Sequence, residues 1–210
     1  MGVEKFFINE GIKESEIERF LKEKFDRAGY SHVEIQRTPL GTRIIVYAEK
    51  PGIVIGKSGK KVSDITDEIK AKFDLENPML DVREVESPLL DPQIVANKIA
   101  KGIEKGSFYK KLANFYIDKI MEAGAIGVEI RIAGKLGGER GRFQTFKKGY
   151  IKHSGYYADT LVQTGHAVAI LKLGMVGVKV KILLQIPEDL SEKSIEKRLK
   201  NENERFEESE

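Results

Sequence analysis

The stretch Ile53-Val54-Ile55-Gly56-Lys57-Ser58-Gly59-Lys60-Lys61 constrains this chain more than any other. Two glycines bracket two residues, with aliphatics ahead of them and lysines within and behind. A backbone reverses sharply at such a point because glycine tolerates positive φ and has no Cβ to hold a bulky neighbour away. Val62, Ile65, Ile69 and Phe73 follow at helical spacing, so the loop sits between a short apolar turn and a full helix. Lys57, Lys60 and Lys61 make an anion the natural neighbour of this loop.

A nucleotide-cradling P-loop is the nearest alternative. That motif needs Gly, four spacers, then Gly-Lys-Ser or Gly-Lys-Thr. Here Gly52-Ile53-Val54-Ile55-Gly56-Lys57-Ser58 has three spacers, all β-branched, and Pro51 precedes them. A P-loop wraps phosphate with successive backbone N–H groups, and aliphatics suit a buried helical turn or strand better than such an exposed nest. RNA-backbone contact is the reading carried forward, with a P-loop nucleotide hydrolase as the competitor from another class.

Around the loop, the pattern resolves into two modules. Ser15 and Glu18 read as a capping box, so residues 1–11 are expected to be a lead-in. Ile17, Phe20, Leu21, Phe25 and Ala28 then mark a helix that Gly29 stops. His32 to Arg37 alternates as a strand, Leu40-Gly41 turns, and Ile44 to Tyr47 form a more buried strand. Leu80, Val82 and Val85 close this module. The pattern breaks at Ser87-Pro88 and Asp91-Pro92, where a capping Asp followed by Pro at the first helical position starts a new helix. It is expected to run to about Lys105, with a second helix from Ser107 to Gly124. Strictly alternating Ile126, Val128, Ile130 and Ile132 give a strand, and 142–152, 165–173 and 176–186 are three more candidates.

The fold class expected is therefore α+β. Residues 1–86 form a helix-strand-strand-helix-helix-strand module, and residues 92–186 place two helices on a four-stranded, mainly antiparallel sheet. Pro187 ends the folded part, and residues 187–210 read as an acidic, flexible tail.

Charge is segregated along the chain. The whole sequence carries a net +3, but its last 24 residues hold nine Asp/Glu against five Lys/Arg, so the first 186 carry +7. A basic body permits a nucleic-acid partner without requiring one. With no cysteine and only His32, His153 and His166, thiolate and zinc sites are not expected. No apolar run reaches the roughly 18 residues of a membrane span, and no signal-peptide pattern opens the chain, so a cytoplasmic protein is expected.

The first module, with its glycine loop between helices, resembles a type II K-homology domain. Such loops clamp the backbone of about four nucleotides of a single strand. The resemblance implies that Gly56 and Gly59 allow close approach, that Lys57, Ser58, Lys60 and Lys61 meet phosphate at the start of a helix, and that bases lie against Ile53 and Ile55. In the second module, Gly124-Ala125-Ile126-Gly127-Val128-Glu129-Ile130, Ala133-Gly134-Lys135-Leu136-Gly137-Gly138 and Gly174-Met175-Val176-Gly177-Val178-Lys179-Val180-Lys181 resemble the C-terminal domain of the third small-subunit ribosomal protein family. The resemblance spans roughly residues 3–186, and Lys152-His153-Ser154-Gly155 is similar to the archaeal or eukaryotic type.

Membership would imply a structural constituent of the small-subunit head, without cofactor or catalysis. It would bind small-subunit rRNA, lie beside other head proteins and help line the channel through which mRNA enters. In bacterial relatives a basic helix face helps unwind mRNA. The matching positions here are Lys110 and Lys111, whereas Asn114 stands where a third cation would be, which puts strong unwinding in doubt. A free-standing K-homology regulator of RNA is the alternative within the binding proteins.

Two basic sets carry the site reading besides the loop. Lys110 and Lys111, near Lys105, sit at a helix start, where cations oppose the helix dipole and gain little stability. Arg131, Lys135, Arg140, Arg142, Lys147, Lys148 and Lys152 form the other set, with Glu139 the one acid among them. Tyr109, Phe115 and Tyr116 are expected to pack, while Tyr150, Tyr156 and Tyr157 are open to stacking on RNA. The acidic pairs Glu14 and Glu16, and Asp64 and Asp67, read as helix surface, and no catalytic or metal-binding constellation emerges.

Overall fold

The computed structural model describes residues 3–38, 41–56, 59–73, 75 and 77–185. Leu40 of the expected turn, Lys57 and Ser58 of the glycine loop, and the expected tail 187–210 lie outside the described residues. The chain divides into two compact units, Met1–Glu86 and Ser87–Glu210.

In the first unit, α1 spans Val3–Phe25, followed by a 3-10 turn over Asp26–Ala28 and a left-handed Gly29. The expected lead-in and capping box are corrected by this. Ser15 lies inside the helix, because residues ahead of it continue the helix and Glu10 and Glu14, one turn apart, both pair with Arg37 on the first strand. Those carboxylates hold the Arg37 guanidinium above its ordinary value, the hydrogen bond that it donates to Glu10 contributing most. Ile17, Leu21 and Phe25, spaced by four, are buried.

Strands β1 (Tyr30–Thr38), β2 (Gly41–Ala48) and β3 (Met79–Glu84) form a sheet in the order β1-β2-β3. β2 is antiparallel to β1 and parallel to β3. The central position explains the continuous Ile44-Ile45-Val46 run, since a strand paired on both edges and covered needs apolar side chains on successive residues. The strand expected to reach Val85 stops one residue earlier, although the Val85 N–H still donates to the Ala48 carbonyl. Between β2 and β3 come α2 (Pro51–Ile55) and α3 (Lys60–Phe73), with Val54, Ile65 and Ile69 closing the core over Ile44 and Val46.

The second unit opens with α4 (Pro92–Glu104). The Asp91 carboxylate accepts from the N–H groups of Gln93 and Ile94 at 2.8 and 3.1 Å. Helix α5 covers Tyr109–Glu122, with Ala113, Ile117 and Ile120 buried on one face. The strands are β4 (Gly127–Gly134), β5 (Arg142–Gly149), β6 (Val162–Leu171) and β7 (Gly174–Leu183). They pair antiparallel throughout in the order β5-β4-β7-β6. One face, Val128, Ile130 and Ile132 with Val176, Val178, Val180 and Ile182, packs under the two helices.

Helix α4 crosses β6 and β7 while α5 crosses β4 and β5. The Gln93 side chain fastens the first contact, donating to the His166 carbonyl at 2.8 Å and accepting from its N–H at 3.1 Å. Strand β5 ends at Gly149 rather than Lys152, because Gly149 takes φ 75° and turns the chain out of the sheet. A short helix α6, Tyr156–Thr160, follows where no element was expected; five residues are too few to show a hydrophobic period.

Candidate nucleic-acid interface

Helices α2 and α3 deliver the glycine loop from both sides. The α2 turn ends with the Gly56 N–H donating to the Gly52 carbonyl at 3.1 Å, and the Ile53 N–H donates to Lys50. The three residues that a P-loop would use as a phosphate nest are therefore helical. Gly56 adopts φ 69° and ψ −170°, and Gly59 adopts φ 76°. Lys60 and Lys61 are exposed at the start of α3, and Lys61 Nζ donates to the Ile53 carbonyl at 3.4 Å. Val54 is buried, whereas Ile53 and Ile55 are 44% and 41% exposed beside the loop. The arrangement offers cations, an open backbone and apolar surface within one short segment.

The seven-cation set of the second unit is divided by the sheet. Strand register puts Arg131 and Lys147 on the face away from the helices, across from Thr145 and Glu129. On the same face Arg131 neighbours Lys179, and Glu129 neighbours Lys181. Those two lysines belong to the basic surface but were missed in the sequence; the Val178-Lys179-Val180-Lys181 alternation shows that they turn outward, and only the pairing of β7 with β4 shows beside what. Arg131 also lies 4.5 Å from the Phe143 ring centroid.

Lys147 pairs with the nearly buried Glu129 at 3.2 Å and meets His153 Nε2 at 3.1 Å. Lys148 points to the helix side, where Asp118 of α5 takes its ammonium at 2.7 Å. Lys152 is half-buried past the end of β5.

Lys135 and Arg140 lie in the β4–β5 connection and Arg142 begins β5, at the end of the sheet that faces the start of α5. There the structure joins two sets that the sequence kept apart. Tyr109, Lys110, Leu136, Arg140, Arg142 and Gln144 border one cavity of about 460 Å³. Tyr109 Oη donates to Gln144 Oε1 at 3.1 Å across it. Lys110 and Lys111 are exposed in the first turn of α5, whose N-cap, Phe108, supplies no side-chain hydrogen bond. Among the described residues no acid pairs with Lys110, Lys111, Lys135, Arg140 or Arg142. Along the row that starts at Lys110 come Asn114 and then Asp118, so that row is basic in the first turn of α5 alone, while Lys119, two turns on from Lys111, lies over the Phe115 ring.

The aromatic side chains sort by burial. Tyr109 and Tyr116 pack against the core as expected, but Phe115 is 50% exposed beneath the Lys119 ammonium. Tyr150 is buried with Val162 and Leu183 and is closed to a stacking partner. Tyr156, 75% exposed, remains open.

Residues 16–90 match the family described as KH domain, and residues 99–182 match Ribosomal protein S3, C-terminal domain. The small ribosomal subunit protein uS3 of Methanoculleus marisnigri is 46% identical over 183 residues, covering 87% of this chain and 78% of the relative. The chain belongs to the small ribosomal subunit protein uS3 family. The uS3 of Methanococcus vannielii is 48% identical over 191 residues, 90% of each chain. That of Halobacterium salinarum is 46% identical over 192 residues, and the match spans 64% of its length. These relatives are archaeal, in line with the archaeal or eukaryotic type expected, and the uS3 family is not an enzymatic one.

Proposed function

We propose that this uS3 family member is a structural constituent of the small ribosomal subunit in the cytoplasm. It binds small-subunit rRNA through both units, sits beside other proteins of the subunit head, and contributes to the channel through which mRNA enters. The observation that carries the reading is the convergence of Lys110, Arg140 and Arg142 on one cavity without an acid partner among the described residues. Three cations around the single carboxylate of Glu139 leave an excess of positive charge that is costly to the isolated protein through self-repulsion, and a polyanion removes that cost. The glycine loop supplies a second backbone contact of the type the KH match implies, through Gly56, Lys57, Ser58, Gly59, Lys60 and Lys61. Arg131, Lys135, Lys147, Lys148 and Lys152 extend the surface, Lys147 and Lys148 most weakly because acids already answer their charge.

The row that starts at Lys110 loses its charge at Asn114 and reverses it at Asp118, and this favours guiding mRNA over forcing its helices apart. A free-standing RNA regulator has no use for the second unit, which matches the ribosomal C-terminal domain. The test is the salt dependence of full-chain binding to small-subunit rRNA fragments. Each single-strand phosphate contact contributes about 0.7 to the slope of log affinity on log salt. Replacing Lys110 and Arg142 together by alanine should lower that slope by about 1–2. An unchanged slope would remove the second unit from the RNA contact.

A further inference from the structure

We propose that the cavity between the start of α5 and the β4–β5 connection seats a single nucleotide of single-stranded RNA, with its phosphate on Lys110, Arg140 and Arg142 and its base read by Glu139. The proposal rests on the RNA-binding reading above and goes beyond backbone contact. A volume of about 460 Å³ lies within the ~300–1,000 Å³ typical of small-molecule sites, whereas a phosphate resting on a surface needs no such space.

The cavity also has two chemically distinct parts. Tyr109 and Leu136 pack against the hydrophobic core and give it an apolar floor, and the hydrogen bond from Tyr109 to Gln144 holds that ring in place. A fixed aromatic ring beside cations is what an unstacked base and its phosphate require together. Gly137 and Gly138 border the same space, and a Cβ built on either would meet nothing within 4 Å, so the backbone is approachable there.

Glu139 separates a nucleotide seat from a phosphate site. It lines the cavity among three cations and, among the described residues, is engaged by none of them. In a site for phosphate alone, this carboxylate would oppose the ligand. A base edge presenting N–H donors turns it into an acceptor, and guanine presents two adjacent donors, N1–H and N2–H, to its two oxygens. Guanine should therefore be favoured over uracil, whose single ring N–H is flanked by carbonyls.

The experiment uses the full chain and two RNA decamers, one all uridine and one with a single central guanosine. The guanosine decamer should bind several-fold tighter, and Glu139→Gln should erase that difference while lowering affinity. A gain in affinity in Glu139→Gln, or equal binding of the two decamers, would overturn the nucleotide seat. The RNA-binding reading would survive that result if the Lys110 and Arg142 substitutions still lowered the salt slope. In intact small subunits, 6-thioguanosine placed in mRNA alone or in rRNA alone identifies the source of the nucleotide. An adduct on the peptide containing Tyr109 in either arm supports the seat, and none in both would contradict it.

Discussion

Tyr109 Oη donates a hydrogen bond of 3.1 Å to Gln144 Oε1, tying the first residue of α5 to the middle of β5. The bond fixes the distance between a helix start carrying Lys110 and a strand start carrying Arg142. Tyr109→Phe keeps the packed ring and removes only this bond. Denaturant unfolding should show a loss of about 1 kcal/mol, the net worth of a part-buried hydrogen bond. No change in the midpoint would show that the bond does not hold these elements in solution.

Gly52, inside α2, and Gly56, just past its end, should answer oppositely to alanine. Gly56 sits at φ 69° and ψ −170°, and a Cβ there would lie 2.8 Å from the Lys61 side chain. Gly56→Ala should cost about 1–3 kcal/mol in stability of the first unit. Gly52 lies in helix with nothing within 4 Å of its Cβ, so Gly52→Ala should be neutral or stabilising by up to about 1 kcal/mol. Thermal or urea unfolding of the two variants side by side checks the pair.

Gly165 is where β6 passes under the start of α4. A Cβ on it would stand 2.3 Å from the carbonyl carbon and oxygen of Pro92, which are backbone and cannot swing aside. Gly165→Ala should destabilise the second unit by about 1–3 kcal/mol or more and break the paired bonds between Gln93 and His166. Gly177→Ala on β7, whose Cβ would meet only the Ala133 carbonyl at 3.9 Å, should stay within about 0.5 kcal/mol of the parent.

Burial pushes the Tyr30 phenol well above its ordinary value of 10.0, with the neighbouring Glu18 adding to the shift. The unfolded chain therefore releases this proton at lower pH than the folded one. The contribution to stability is complete below about pH 10 and declines as pH rises above it. In Tyr30→Phe the alkaline decline should be shallower than in the parent, as read from urea midpoints between pH 9 and 11. Parallel declines would show that Tyr30 is not the group responsible.

Helix starts and strands with local signals are legible in the amino-acid sequence itself. The Asp91-Pro92 cap, the alternation of Ile126 to Ile132 and the glycine loop between helices all depend on near neighbours along the chain. What misleads or stays hidden depends on distant ones. Ser15 and Glu18 make a plausible local cap, yet Glu10 and Glu14 find Arg37 on β1 and the helix extends through them. Arg131 and Lys147 are recognisable as basic, but their neighbours Lys179 and Lys181 emerge only through the β5-β4-β7-β6 order. Likewise Lys110 and Arg140 are thirty residues apart, and the cavity between them exists because α5 crosses β4 and β5.

Crosslinking of protein to RNA in intact small subunits, with peptide and nucleotide mapping, tests the central claim most directly. RNA adducts are expected on the peptide carrying Lys60 and Lys61 and on those carrying Lys110, Arg140 and Arg142. Small subunits that contain the chain but yield no adduct on any of these peptides would contradict the account.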